Sequence, residues 1–284
     1  DNERNNKSIY PNGFEPRILS KIWDGTFSVG LKSKTNKAWN FDLNNTFGQN
    51  QMHYSVANTL NSSLGASSPL SFDAGGFGLM QNVTGINLTR KFRNGLKNTN
   101  VALGSELRVE NYYIFAGEEG SWKKYANPDD LPGGSQTFPG YRPENEVNKI
   151  RTNFGAYADV ETDITRSFLL TFATRFERYS DFGNALNAKL SLRIKTNEVF
   201  AIRGSASTGF RAPSLAQSHF SAIYNYVVDV FSFEKVLTAN NSSITKALGV
   251  QSLKQETATT ISVGTIYKPN NVFSLTVDGY YVAV

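Results

Sequence analysis

The chain contains no cysteine and only two histidines in 284 residues. Without cysteine there is no disulfide framework, no thiolate zinc site and no thiol nucleophile. His53 and His219 lie far apart, which leaves no imidazole cluster for a metal. No apolar run approaches the ~20 residues that a membrane-spanning helix requires. The opening residues Asp1-Asn2-Glu3-Arg4-Asn5-Asn6 lack the basic and apolar regions of a secretion signal. The formal charge of +5 is dispersed, and no block of about five or six like charges offers an arm to nucleic acid or anionic lipid. Catalysis has few candidates, and no catalytic residue, metal, cofactor or nucleic-acid partner is expected. What remains is a soluble protein, a β-barrel that crosses a membrane with strands, or a stretch from well inside a larger precursor.

What is present is alternation. Phe168, Leu170, Phe172 and Phe176 are interleaved with Leu169, Thr171, Ala173, Arg175 and Glu177, and a period of two sends the two sets to opposite faces of a strand. The same rule separates Ala188, Leu190, Leu192 and Ile194 from Lys189, Ser191, Arg193 and Lys195. It separates Phe200, Ile202, Gly204 and Ala206 from Ala201, Arg203 and Ser205. Upstream, Leu103, Leu107 and Val109 oppose Gly104, Glu106, Arg108 and Glu110, and Trp23, Phe27, Val29 and Leu31 oppose Asp24, Thr26, Ser28 and Lys32.

These runs predict about ten strands, at 20–33, 38–51, 82–92, 100–116, 148–161, 167–180, 185–195, 198–210, 256–267 and 272–284. Most reach ten residues or more, where strands of globular proteins cluster near 5–6 and tilted membrane strands need ~9–11. Every second connection is short: Ser33 to Lys37, Arg93 to Asn98, Thr162 to Thr165, Lys195 to Glu198 and Lys268 to Asn271. The others, at 52–81, 117–147, 181–184 and 211–255, are longer apart from the brief third. Membrane barrels place short turns on the periplasmic side and long loops outside. Two aromatic girdles are expected to match, with Trp23, Tyr112, Tyr113, Phe115, Tyr179 and Tyr281 above and Trp39, Phe92, Phe168, Phe200 and Tyr267 below.

One hexapeptide narrows the class. Gly209-Phe210-Arg211-Ala212-Pro213-Ser214 closes a strand, and Leu253-Lys254-Gln255-Glu256-Thr257 opens the next after a long loop. Gly209 is expected to permit a bend or close approach, Pro213 to end the strand for want of an N–H, and Arg211 to hold a fork of donors at the rim. This pair resembles the C-terminal half of TonB-dependent outer-membrane receptors. Tyr10-Pro11-Asn12-Gly13-Phe14, Ser71-Phe72-Asp73-Ala74-Gly75-Gly76-Phe77, Phe115-Ala116-Gly117-Glu118-Glu119-Gly120-Ser121, Arg175-Phe176-Glu177-Arg178-Tyr179 and Val277-Asp278-Gly279-Tyr280-Tyr281 resemble the same family, in particular its Bacteroidetes-type members.

The resemblance covers nearly all of residues 1–284, read as one barrel domain. It implies an all-β transmembrane antiparallel β-barrel, partial here with about ten of roughly twenty-two strands and without a plug domain or TonB box. It further implies a transporter and not an enzyme, with active uptake of a scarce nutrient across the outer membrane, such as a siderophore, glycan or peptide. The partners it implies are outer-membrane lipid, TonB through a missing N-terminal part, the protein's own plug domain and a surface lipoprotein. Alternatives are a passive porin or adhesion barrel, or a soluble carbohydrate-binding β-protein.

Two sets of residues are candidates for function. Glu106, Arg108, Glu110, Arg175, Glu177, Arg193 and Arg203 are expected on the lumen face, paired across strands or holding the plug. Trp122, Tyr125, Phe138 and Tyr141 in the 117–147 loop, with Arg211, are expected to contact substrate by stacking and charge; packing on neighbours is the competing role for the aromatics. His219 is expected to be a surface residue.

Overall fold

A computed structural model describes residues 4–34, 38–94, 97–228 and 231–284. Ten strands form one antiparallel sheet in sequence order: β1 (Arg17–Lys32), β2 (Asn40–Ala57), β3 (Ser71–Asn94), β4 (Lys97–Phe115), β5 (Val147–Asp163), β6 (Phe168–Tyr179), β7 (Gly183–Lys195), β8 (Phe200–Arg211), β11 (Glu256–Tyr267) and β12 (Leu275–Ala283). Between β8 and β11 the chain makes a separate hairpin, β9 (Ala222–Val228) and β10 (Phe231–Leu237). Three short helices sit in the long connections: α1 (Glu119–Trp122), α2 (Leu215–His219) and α3 (Ser243–Ala247). All ten expected strands are present, and β1 and β12 are the two edges of the sheet. The turns expected at Ser33 to Lys37 and Arg93 to Asn98 include residues outside those described.

The sheet is a single layer, and its two faces follow the alternation. On one face Phe27, Leu31, Phe41, Leu107, Phe154, Phe172, Leu190, Ile202, Val263 and Val277 all stand exposed. The facing positions on neighbouring strands continue this stripe, as in Phe172 opposite Leu190 and Leu190 opposite Ala206. Each such side chain forgoes about 1.5–3 kcal/mol of burial while water covers it, and a contiguous patch of this size marks a surface made for an apolar medium.

The buried residues lie elsewhere, at the long-loop end. Val56, Leu60, Phe72 and Ala74 are closed over by the loop chain, and Tyr112, Ile114, Tyr141, Leu215 and Ala222 form a cluster with Tyr54, Phe77, Phe138 and Phe220 packed around it. Polar bonds fasten these loops together: Asn61, fully buried, donates Nδ2 to the carbonyls of Gly120 (2.8 Å) and Lys123 (2.9 Å).

Three expectations need correction. The 52–81 segment is mostly strand, because β2 runs to Ala57 and β3 starts at Ser71. Its glycines Gly75, Gly76 and Gly78 sit where the sheet has no room for side chains. Gly75 adopts φ +76°, beside a register shift between Tyr54 and Ser55, and a Cβ there would meet the Phe115 carbonyl at 2.4 Å. The 211–255 segment carries β9, β10, α2 and α3 rather than irregular loop. The upper girdle loses Tyr112 and Tyr179, which are 3% and 8% exposed. Both share the parity of the charged residues and so turn away from the apolar face.

Candidate functional site

The polar face of β4, β5 and β6 carries a chain of ionic groups brought side by side by register. Glu106 stands across from Gly155 and Gly155 from Glu177; Arg108 is aligned with Asn153 and Tyr179; Glu110 faces Arg151. Arg108 donates Nη2 to Glu106 Oε1 at 2.7 Å, and Arg175 Nη2 approaches the same oxygen at 3.5 Å. Arg175 Nε donates to Glu177 Oε1 at 2.5 Å, while Glu177 Oε2 accepts from Tyr179 Oη (2.7 Å) and Asn153 Nδ2 (3.2 Å). Gly155 makes room for this, since a Cβ there would stand 2.8 Å from Arg175 Nη2.

Arg151 is the hub of the upper part, and no motif singled it out. Its side chain is 7% exposed. Nε donates to Glu110 Oε2 at 2.7 Å, Nη1 donates to the Pro213 carbonyl at 2.7 Å and approaches Asp181 Oδ2 at 3.5 Å, and the guanidinium lies 5.4 Å from the Tyr179 ring centroid. A buried cation is tolerable only with such partners. Arg151 thereby ties β4, the β6–β7 turn and the segment leaving β8 to one strand. Parity was the only signal for it in the sequence, because Ile150, Thr152 and Phe154 take the opposite face.

The hexapeptide and its returning partner meet at the rim. Glu256 pairs with Arg211 and Thr257 with Phe210 across β8 and β11, which explains why the two sequences belong together despite the loop between them. The Arg211 guanidinium is 3.9 Å from Glu256 Oε2 and well exposed. Pro213 ends the strand as expected and offers its carbonyl to Arg151. Ser214 then caps α2, accepting from Gln217 N at 3.0 Å while Gln217 Oε1 accepts from Ser214 N at 2.8 Å, a capping box. Gly209 differs from expectation: it has no left-handed φ, and nothing lies within 4 Å of where its Cβ would be.

The loop aromatics divide into two pairs. Tyr141 is buried, and Phe138 packs against it and against Tyr54, with ring centroids 5.9 and 5.4 Å apart. Trp122 and Tyr125 are half-buried; Trp122 Nε1 donates to the Gly117 carbonyl at 3.1 Å, and Lys123 Nζ lies 5.3 Å from the Tyr125 ring centroid. His219 ends α2 half-buried, 3.1 Å from Asn241 Nδ2 through Nδ1. Burial, with Lys149 nearby, holds its imidazole below the ordinary value of 6.5, and Asp181 opposes the shift. Among the described residues no group of His, Asp and Glu is arranged to hold a metal.

Lower on the same face, Arg203 makes a bidentate pair with Asp278, with Nη2 2.6 Å from Oδ2 and Nε 3.0 Å from Oδ1. Arg193 faces Arg203 directly in the ladder.

Residues 2–284 match the model of a family described as TonB dependent receptor-like, beta-barrel. Comparison with curated protein sequences gives no match. Among solved structures, the chain is similar to the RagAB peptide transporter, with a TM-score of 0.61 at 12% identity over 94% of this chain and 30% of that one. It is similar to the siderophore receptor PirA from Pseudomonas aeruginosa, with a TM-score of 0.54 at 13% identity over 95% and 49%. For the ferric citrate transporter FecA in its unliganded form the values are 0.54, 14%, 94% and 35%. The chain therefore spans less than half the length of each of these structures. Its open sheet of ten long strands, lacking closure between β1 and β12, corresponds to part of such a barrel, and the chain belongs to the TonB-dependent receptor β-barrel family.

Proposed function

We propose that this chain forms part of the wall of an outer-membrane transporter that takes up a scarce nutrient with energy delivered through TonB. The observation that carries this reading is the family match over residues 2–284. In this reading the apolar face meets lipid, the ionic face lines the lumen, and the long connections lie outside the cell. The similar structures named above are a peptide transporter, a siderophore receptor and a ferric citrate transporter, which supports a nutrient of unspecified class.

Glu106, Arg108, Glu110, Arg175, Glu177, Arg193 and Arg203 are the lumen residues on which a plug domain would rest. Trp122, Tyr125, Phe138 and Arg211 are the members of the substrate set with surface to offer, whereas Tyr141 is buried against Phe138. A surface lipoprotein is a further partner in this reading, acting at the long-loop side.

The test is uptake by cells carrying the full-length protein. Active transport predicts that ligand still binds but no longer enters once TonB is removed or the proton gradient is collapsed. Uptake that continues unchanged would make the barrel a passive pore.

A further inference from the structure

We propose that the polar face of β6, β7, β8 and β11 holds a binding site for an oxyanion, a carboxylate or phosphate group, with Arg193, Lys189 and Ser191 as its ligands. The inference rests on the reading of that face as the lumen wall.

Register assembles three rows. The middle one is all hydroxyl: Thr171 faces Ser191, Ser191 faces Ser205, and Ser205 faces Ser262. Below it Arg193 faces Arg203, and above it Lys189 faces Ser207. All of these residues except Ser207 line a cavity of about 250 Å3. Hydroxyls and cations are both donors that an oxyanion can use, and a guanidinium fork matches two of its oxygens at once.

The charges on this patch are uncompensated in one specific place. Like charges directly opposite in a ladder repel. Asp278 neutralises Arg203 through a bidentate pair passing over Gly264, where a Cβ would stand 1.9 Å from Asp278 Oδ1. Arg193 and Lys189 have no counterpart: among the described residues neither makes an ion pair. Asp159, Glu161 and Asp163 stand on β5 opposite Ala173, Thr171 and Leu169; Glu161 and Asp163 share a neighbouring cavity with Arg193 without pairing with it, and Asp163 accepts from Asn98 Nδ2 at 3.1 Å instead.

Hydrogen bonding leaves the same gap. Arg193 Nε and Ser191 Oγ are shielded from solvent and have no partner, whereas the neighbouring Ser205 and Ser262 hydroxyls bond each other at 2.8 Å. The ionic network of β4 to β6 also leaves one such donor, Arg108 Nε, but there every guanidinium has a carboxylate partner. Buried donors without acceptors are rare and ask for one. One oxyanion between Arg193 and Lys189, over the hydroxyl row, supplies both the charge and the acceptors. That anion is either a free solute passing through the lumen or an acidic side chain of a domain that fills it.

The experiment is arginine modification of the full-length protein in lipid by phenylglyoxal, read at Arg193 by mass spectrometry, with citrate and inorganic phosphate as probes. For a free anion, Arg193 should react about tenfold more slowly once the probe reaches about ten times its Kd, because only the unoccupied fraction reacts. Exposed Arg166, in the turn between β5 and β6, should be unaffected, and Ser191→Ala or Lys189→Gln should weaken the protection. For an internal carboxylate, Arg193 should be protected with no probe added, and carbodiimide should join Lys189 to an acidic peptide. The proposal is overturned if Arg193 reacts as fast as Arg166 in every arm while Thr171→Cys reacts with a water-soluble maleimide. If Thr171→Cys reacts only with a lipid-soluble reagent, the lumen reading itself has failed.

Discussion

Arg151 shows how much can rest on one side chain. It is nearly buried and its partners are Glu110, Asp181, the Tyr179 ring and the Pro213 carbonyl, so Arg151→Met would leave the Glu110 carboxylate buried and unpaired. Breaking a buried pair from one side costs about 3–5 kcal/mol. Unfolding in lipid should show a loss of that order, proteolysis near Ser214 should accelerate, and Glu110→Gln on top of Arg151→Met should restore part of the stability. An unchanged unfolding curve would show that the hub carries nothing. His219 gives a pH dependence at the same scale. Its folded value lies below 6.5 because burial and Lys149 disfavour the imidazolium, so the undocked loop binds the extra proton. Docking of α2 is then fully stabilised above about pH 6.5 and weakens as pH falls from there through the folded value. Deuterium uptake over Leu215–Phe220 should rise on acidification, and His219→Gln should flatten the response.

At the scale of the strand, β6 separates the two faces most cleanly. An arginine at Leu170 should cost about 2–4 kcal/mol if it lies near the midplane of the membrane, while one at Thr171 should cost little; refolding into lipid compares them. Gly75→Ala should also destabilise, since φ +76° disfavours any Cβ and the Phe115 carbonyl already occupies its place. The sequence makes β6, β7 and β8 easy to recognise because phenylalanine and leucine alternate there with lysine, arginine and serine. It makes the start of β3 hard to recognise, because Gly75, Gly76 and Gly78 carry no alternation and are glycine for reasons of space between strands. The β9–β10 hairpin was hidden for another reason: Asn225, Asp229, Ser232, Glu234 and Lys235 break up the apolar residues from Ala222 to Leu237 without a sustained period of two. That Glu106, Arg108, Glu110, Arg175, Glu177, Arg193 and Arg203 share the polar face was legible by parity, whereas Arg151 and Asp278 acquire their meaning only from partners that register places beside them.

For the whole molecule, the proposed assignment of sides rests on the alternation of short and long connections. Tags near Asp129 or Asn240 should be reached by protease or label added to intact cells, and tags at Asn197 or Asn270 should be protected; the reverse pattern would invert the topology. Both rest on one claim, that a single-layer sheet is stable here because lipid covers one face and water or a plug the other. The most direct measurement is spin-label accessibility along β6 in the full-length protein reconstituted in lipid. Labels at Phe168, Leu170 and Phe172 should collide with oxygen and avoid a water-soluble nickel chelate, while labels at Leu169, Thr171 and Ala173 do the opposite. Equal access of the nickel chelate to both sets would contradict a membrane-spanning wall.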